Sequence, residues 1–289
     1  MTTLSNWGRW GEDDQLGAIN LITAEKRRQA AALVRDGVSI SLAHPMITET
    51  TADNPNPLKH TMVADGGADN PSAYSMDRYE ILYHGLAHTH IDALCHIFWK
   101  GKMYNGHSRE EVTQEGCERN GIANLHEGVF TRGVLVDMAW MRGVDYLEPG
   151  TAIYPADLEA WEKKAGVRVE SGDAVLLRTG RWARRAEKGP YAGAAGLHAS
   201  SAKWLKDRDV ALLGSDMAAD VMPSGIEGTG LPIHELAIVA LGVHLIDNGD
   251  YEKLTREAQQ RDRWTFLLTL APMRVEGGTG SPINPIATF

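Results

Sequence analysis

Residues 83–96 read YHGLAHTHIDALCH, and this is where residue types and spacing most plainly allow chemistry. Five of the eleven histidines, His84, His88, His90, His96 and His107, fall within 24 positions, far denser than an even spread. Alternate side chains of an extended strand share a face, so His88, His90 and Asp92 project together while Thr89 and Ile91 point oppositely. Side chains about 7 Å apart along one face can converge on a single divalent ion where a strand twists or ends. Two imidazoles and a carboxylate suit Zn²⁺, Mn²⁺ or Fe²⁺, and three protein ligands leave a position for water. His96 lies four residues past Asp92, beyond the expected strand end. It reads as a ligand to the same or a second ion, or as a base beside the bound water. These polar side chains sit among Ile81, Leu82, Leu86, Ile91, Leu94, Ile97 and Phe98, where burial without partners is costly. His84 and His107 read as ordinary structural histidines, and Cys95 as a small buried filler.

The elements that position this cluster are legible in outline. Short β-branched runs predict strands over Val38–Leu42, Arg78–Tyr83, Gly133–Met138, Asp173–Arg178, Val210–Gly214, Val243–Ile246 and Trp264–Leu270. Thr23 caps a helix running to Leu33, Ser108 with Glu111 makes a capping box, and Pro155 opens a helix that Gly166 ends. Pro232 opens another that Gly242 closes. Residues 51–70 are rich in Asn, Asp, Pro and Gly and read as a long loop inserted in one domain spanning 1–289. Strands interleaved with helices predict an α/β domain with a mixed sheet.

Composition excludes other classes. The chain has 289 residues and a formal charge of −9, with no basic run to track a phosphate backbone, so nucleic acid is not an expected partner. Nothing reaches the roughly 18 to 20 apolar residues of a membrane helix. The first residues (MTTLSNWGRWGEDDQLG) lack a secretion-signal core, and two cysteines make no disulfide framework. The expected compartment is therefore the cytoplasm, and the expected partner a small-molecule substrate.

The histidine segment resembles the signature His-x-Gly-Thr-His-x-Asp-x-x-x-His of the metal-dependent cyclase-like hydrolases, the group of kynurenine formamidase and isatin hydrolase. Thr89, His90, Asp92 and His96 match it. The likeness continues through Asp173–Gly180 (DAVLLRTG), Leu213–Asp216 (LGSD), Pro232–His234 and Asp247-Asn248. The resemblance implies a swivelling β/β/α fold, a divalent metal (zinc or manganese), and assembly as a homodimer or homotetramer. It also implies hydrolysis of a cyclic or acyclic amide or a lactone by metal-activated water. Two positions depart from the family. Its first histidine aligns with Leu86 and its glycine with His88, so His88 is the expected substitute ligand. Its late glutamate is replaced by Asp247.

The expected site is thus His88, His90 and Asp92 on the metal, with His96 moving the proton and His234 aiding catalysis. Asp247 serves as an orienting carboxylate or second-metal ligand. Trp7, Trp10 and Arg178 are weaker candidates for holding substrate. Two alternatives stay open: a lyase, isomerase or cyclase using the same histidines, and a metal-binding protein without catalysis.

Overall fold

The computed structural model describes residues 3–71 and 74–289. A nine-stranded mixed sheet runs through a single α/β domain. Its strands are β1 (Ser39–Ser41), β4 (His90–Asp92), β5 (Val129–Asp137), β6 (Ala174–Arg178), β7 (Leu212–Ser215), β8 (His244–Asp247), β9 (Thr265–Leu270), β10 (Gly280–Pro282) and β11 (Ile286–Thr288). The spatial order is β1-β11-β9-β5-β6-β7-β8-β4-β10. Neighbours from β5 to β8 pair in parallel. These central strands are almost wholly buried, as expected for parallel strands covered on both faces. Antiparallel strands flank them on both sides.

Helices connect the strands. They include α1 (Ala24–Ala31), α2 (Met138–Arg142), α3 (Pro155–Ala165), α4 (Arg181–Lys188) and α5 (Ser201–Asp207). Next comes α6 (Pro232–His234), which runs on as a π-helix over Glu235–Leu241, and last α7 (Glu252–Arg261). The expected stops and starts are present. Thr23 accepts from the Lys26 amide, the Ser108–Glu111 capping box forms, and Gly166 and Gly242 adopt the left-handed conformation that closes a helix. Open parallel sheets bind ligands beyond the carboxyl ends of their strands. Here Ser215 and Asp247 end β7 and β8 at that edge.

One expectation needs correction. Residues 51–70 are not one continuous loop: Lys59–Ala64 forms β2, paired antiparallel with β3 (Met76–Glu80) in a separate hairpin. Nearly every residue of both strands is exposed. No apolar face is buried, so the period-two pattern that marks a half-buried strand is missing. The expected strand Arg78–Tyr83 correspondingly ends at Glu80, and Ile81–Thr89 is irregular chain running into the histidine cluster.

Candidate metal centre

Strand β4 lies between β8 and β10, with Asp247 opposite His90 and Gly280 opposite Asp92. Directly opposed residues of an antiparallel pair share a face. This register therefore places the Asp247 carboxylate beside His90, on the face that also carries Asp92. Ile91 points oppositely into the core. Gly280 is required here. A Cβ on it would come within 2.6 Å of the Ile91 carbonyl and 2.8 Å of His84 Cε1, so this close approach is what seats the His84 ring.

Two groups of donor atoms form around Asp92. The first is His84, His90 and Asp92; the second is Asp92, His234 and Asp247. His84 Nδ1 lies 3.0 Å and His90 Nε2 3.3 Å from Asp92 Oδ1. His234 Nε2 lies 3.8 Å from Asp92 Oδ2 and 3.2 Å from Asp247 Oδ2. His96 Nε2 stands 3.9 Å from Asp92 Oδ1, its ring stacked on His84 with centroids 3.9 Å apart.

The donors are aimed as metal ligands are. Among the described residues, Asp247 Oδ1 is buried without a hydrogen-bond partner, and His84 Nδ1 and Asp92 Oδ1 face each other at 3.0 Å but without hydrogen-bond geometry, a costly state unless something else satisfies them. His90 Nδ1 donates to the His88 carbonyl at 2.8 Å, leaving Nε2 to face Asp92. His234 Nδ1 donates to Asp220 Oδ2 at 2.5 Å, leaving Nε2 to face Asp247. A ligating histidine held through its other nitrogen by a carbonyl or carboxylate is a recurrent arrangement at metal sites. Nitrogen and carboxylate oxygen donors suit a divalent cation of the Zn²⁺, Mn²⁺ or Fe²⁺ type, so these residues fit one.

Electrostatics point the same way. Burial raises the Asp92 carboxyl, but His84 and His90 outweigh it and hold it well below the usual range. Burial lowers His234, yet Asp247 and Asp220 push its pKa well above the ordinary value. The same contest raises His90, through Asp92. The carboxylates thus favour the charged form of these rings, and a bound cation would take the protons' place. His96 differs: burial pushes it down to about 4, only partly offset by Asp92, with His84 and His234 adding to the fall.

The structure changes several assignments made from sequence. His90, Asp92, His234 and Asp247 come together as donors. His88 belongs to neither donor group. Strand β4 begins only at His90, so the alternation that would align positions 88, 90 and 92 is absent. His88 instead lines a cavity with Asp53, Asn54 and Asn56. His84, read as structural, is the histidine that stands with His90 and Asp92 in a donor group. Its signal was its membership of the cluster, but the five residues 85–89, none of them in a strand, separate it from the register of β4. Asn248 was visible only as part of Asp247-Asn248. It donates to the carbonyls of Gly85 and His88 at 2.8 and 3.0 Å, and its own carbonyl accepts from Thr89, fixing the chain between His84 and His90.

Asp220 was missed altogether. It accepts from the amides of Ile233 and His234 as well as from the His234 ring, capping α6 and aiming its histidine at once. Asp216, the acid matched to the family strand, does something else. It receives the amides of Thr179, Gly180 and Arg181 and the Thr179 hydroxyl. The Asp220→Asn substitution is expected to weaken metal binding about 10- to 100-fold, the span for an outer orienting partner. Competition with a chelating dye checks this; unchanged affinity would remove Asp220 from the centre.

The three weaker substrate candidates are occupied elsewhere in this chain. Arg178 donates from Nε and Nη2 to Glu252, from Nη1 to Asp137 and from Nη2 to the Asp145 carbonyl. Arg178 therefore has no free nitrogen for a substrate carboxylate. Arg178→Met should destabilise the fold by about 3–5 kcal/mol, because Asp137 is left buried and unpaired. Chemical denaturation reads this, and a variant as stable as the parent contradicts it. Trp7 Nε1 donates to the Val239 carbonyl at 2.6 Å, and Trp10 is half-buried against the core beneath Arg9. Both anchor the amino-terminal segment.

The cyclase family's sequence model matches residues 38–220. A crystal structure of a protein described as a novel cyclase is 30% identical, with a TM-score of 0.86 over 99% of this chain and 100% of that one. The chain therefore belongs to the cyclase family. Isatin hydrolase A from Ralstonia solanacearum is 22% identical, with a TM-score of 0.60 over 90% of this chain and 93% of its own. A protein from Bacillus stearothermophilus, described as a predicted metal-dependent hydrolase, is 17% identical, with a TM-score of 0.55 over 88% and 98%. These two share the fold. No curated protein sequence matches the chain. Among the described residues, no helix is long and apolar enough to cross a membrane.

Proposed function

We propose that this protein is a metal-dependent hydrolase that opens a small cyclic or acyclic amide or a lactone. The observation that carries the reading is the convergence of His84, His90, Asp92, His234 and Asp247, with His84 Nδ1, Asp92 Oδ1 and Asp247 Oδ1 buried and without a hydrogen-bond partner among the described residues. Membership of an enzyme family, and fold neighbours described as isatin hydrolases and a metal-dependent hydrolase, support it. Zinc or manganese is the proposed ion, since mixed imidazole and carboxylate donors serve either.

Held by these donors, such an ion would supply Lewis-acid polarisation of a carbonyl and a more acidic water. The chain's own residues do the rest. His96 stays neutral because burial holds its pKa near 4, so its ring is free to accept a proton from the attacking water. Returning that proton to the leaving nitrogen or alkoxide completes general acid–base catalysis. The stacked His84 ring fixes the plane in which His96 presents its nitrogens. Asp220 holds the His234 tautomer. Asn248 and Thr89 keep the His84–His90 segment from swinging away.

A panel of small lactones and cyclic amides turned over in ¹⁸O-labelled water tests the reaction class. Hydrolysis incorporates one label into the product acid; conversion without label selects the lyase or isomerase alternative. A cytoplasmic setting belongs to the same reading, since Cys95 and Cys117 are both free thiols. So does assembly as a homodimer or homotetramer, for which Met62, Val63, Met76 and Tyr79 on the exposed hairpin offer apolar contact. Light scattering after gel filtration checks the latter, and a monomer at micromolar concentration would exclude it.

A further inference from the structure

Arg181, the first residue of α4, is a buried cation with donors left over. Its side chain is only 8% exposed. Nη2 donates to Asp53 Oδ2 at 2.8 Å and to the Leu86 carbonyl, while Nε and Nη1 have no hydrogen-bond partner among the described residues. The guanidinium lies over the Trp182 ring, 4.3 Å from its centroid.

The neighbourhood has fewer carboxylates than cations. Asp53, its side chain fully buried, also accepts from Arg185 Nε at 2.8 Å, so two guanidiniums share one carboxylate. Asp216 stands nearby, but its oxygens receive backbone amides and the Thr179 hydroxyl. Arg184 pairs with Glu148, which Lys188 also contacts. The helix amino terminus is therefore already capped, and the unmatched donors belong to the Arg181 side chain. A buried guanidinium with unpaired N–H groups is unfavourable until an acceptor arrives, and a carboxylate supplies charge-assisted bonds.

Arg181 lines a cavity together with Asp53, Arg184, Arg185, Tyr191 and Met217, among others. It adjoins the metal centre through two links. Asp53 also lines the cavity that contains His84 and His88, and the carbonyl that Arg181 holds belongs to Leu86, midway between those histidines.

We propose that this cavity is a binding subsite for the carboxylate of a small organic acid, held by the free donors of Arg181. Resting on the proposed hydrolase, the ligand's class becomes a substrate with an acid group at one end and the scissile amide or ester at the other. Binding of the acid group itself does not depend on that reading.

The test is titration of the purified full-length protein with succinate and with acetate, in low-chloride buffer. Intrinsic tryptophan fluorescence, to which Trp182 contributes, and calorimetry report binding. Saturable binding is expected, weakened at least about tenfold in Arg181→Lys, as loss of a charge-assisted hydrogen bond implies. It should persist in Asp92→Ala, where the metal centre is broken. Absence of saturable binding at millimolar carboxylate overturns the proposal without any variant. Binding unchanged in Arg181→Lys but lost in Asp92→Ala overturns it too, placing the anion on the metal. Should Arg181→Lys not fold, Arg184→Gln on the more exposed wall carries the comparison. A threefold or greater loss is then expected, and unchanged affinity counts against the site. Binding that survives while no amide or lactone is hydrolysed would sink the hydrolase reading and leave the subsite standing.

Discussion

Replacing Asp92 with Ala is expected to leave the purified protein without divalent metal and to lower hydrolysis by at least about 10³-fold. The magnitude follows from position. Asp92 contributes to both donor groups, one oxygen facing His84 and His90 and the other facing His234. Losing an outer orienting partner typically lowers affinity roughly 10- to 100-fold. Losing the shared carboxylate removes the ion, and with it the acidification of water that brings its pKa from about 15.7 to about 7. Elemental analysis and initial rates check both halves, with circular dichroism confirming the fold. A folded variant that keeps its metal would show that Asp92 is not a ligand.

The second large effect is expected at His96. His96→Ala should keep its metal and lower turnover by about 10²- to 10⁴-fold, the usual span for a lost acid–base group. Retained metal with lost turnover separates proton transfer from ligation; joint loss of both would make His96 a ligand. A pH signature accompanies it. The folded pKa of about 4 lies below the ordinary 6.5 of histidine, so between these values the unfolded chain binds the extra proton. Stability contributed by the neutral ring is therefore present above about pH 6.5 and lost as pH falls toward 4. In His96→Ala this part of the acid decline should disappear. An identical pH–stability curve for variant and parent would contradict the burial of a neutral ring.

Reading the sequence succeeded where a local pattern has a local cause. Strands β5 to β9 announced themselves as short apolar runs bounded by turn residues, and the helix ends because Thr23 caps through its own hydroxyl while Pro155, Gly166 and Gly242 act through their own backbone geometry. The histidine cluster was conspicuous by density, and His90 and Asp92 do stand on one strand, as alternation requires for a shared face. His88 falls outside both donor groups for an instructive reason. Alternation holds only while the chain is extended, and here it turns through Gly85–Thr89 before β4 begins. His84 then reaches Asp92 because Gly280, nearly 200 residues later, leaves room for its ring. Asp220 was illegible for the same class of reason. Its partnership with His234 crosses a connection whose path no periodicity encodes. Arg178 looked like a substrate anchor because the sequence does not show that Asp137 and Glu252 fold onto it.

The central claim is that the cation sits among His84, His90, Asp92, His234 and Asp247 and not at His88. Anomalous diffraction from crystals soaked in manganese or zinc tests it most directly. The account predicts a peak bonded to His90 Nε2 and an Asp92 oxygen, completed by His84 Nδ1 or by His234 Nε2 with Asp247. A strong peak ligated by His88, or no peak at this cluster in metal-soaked crystals, would contradict it.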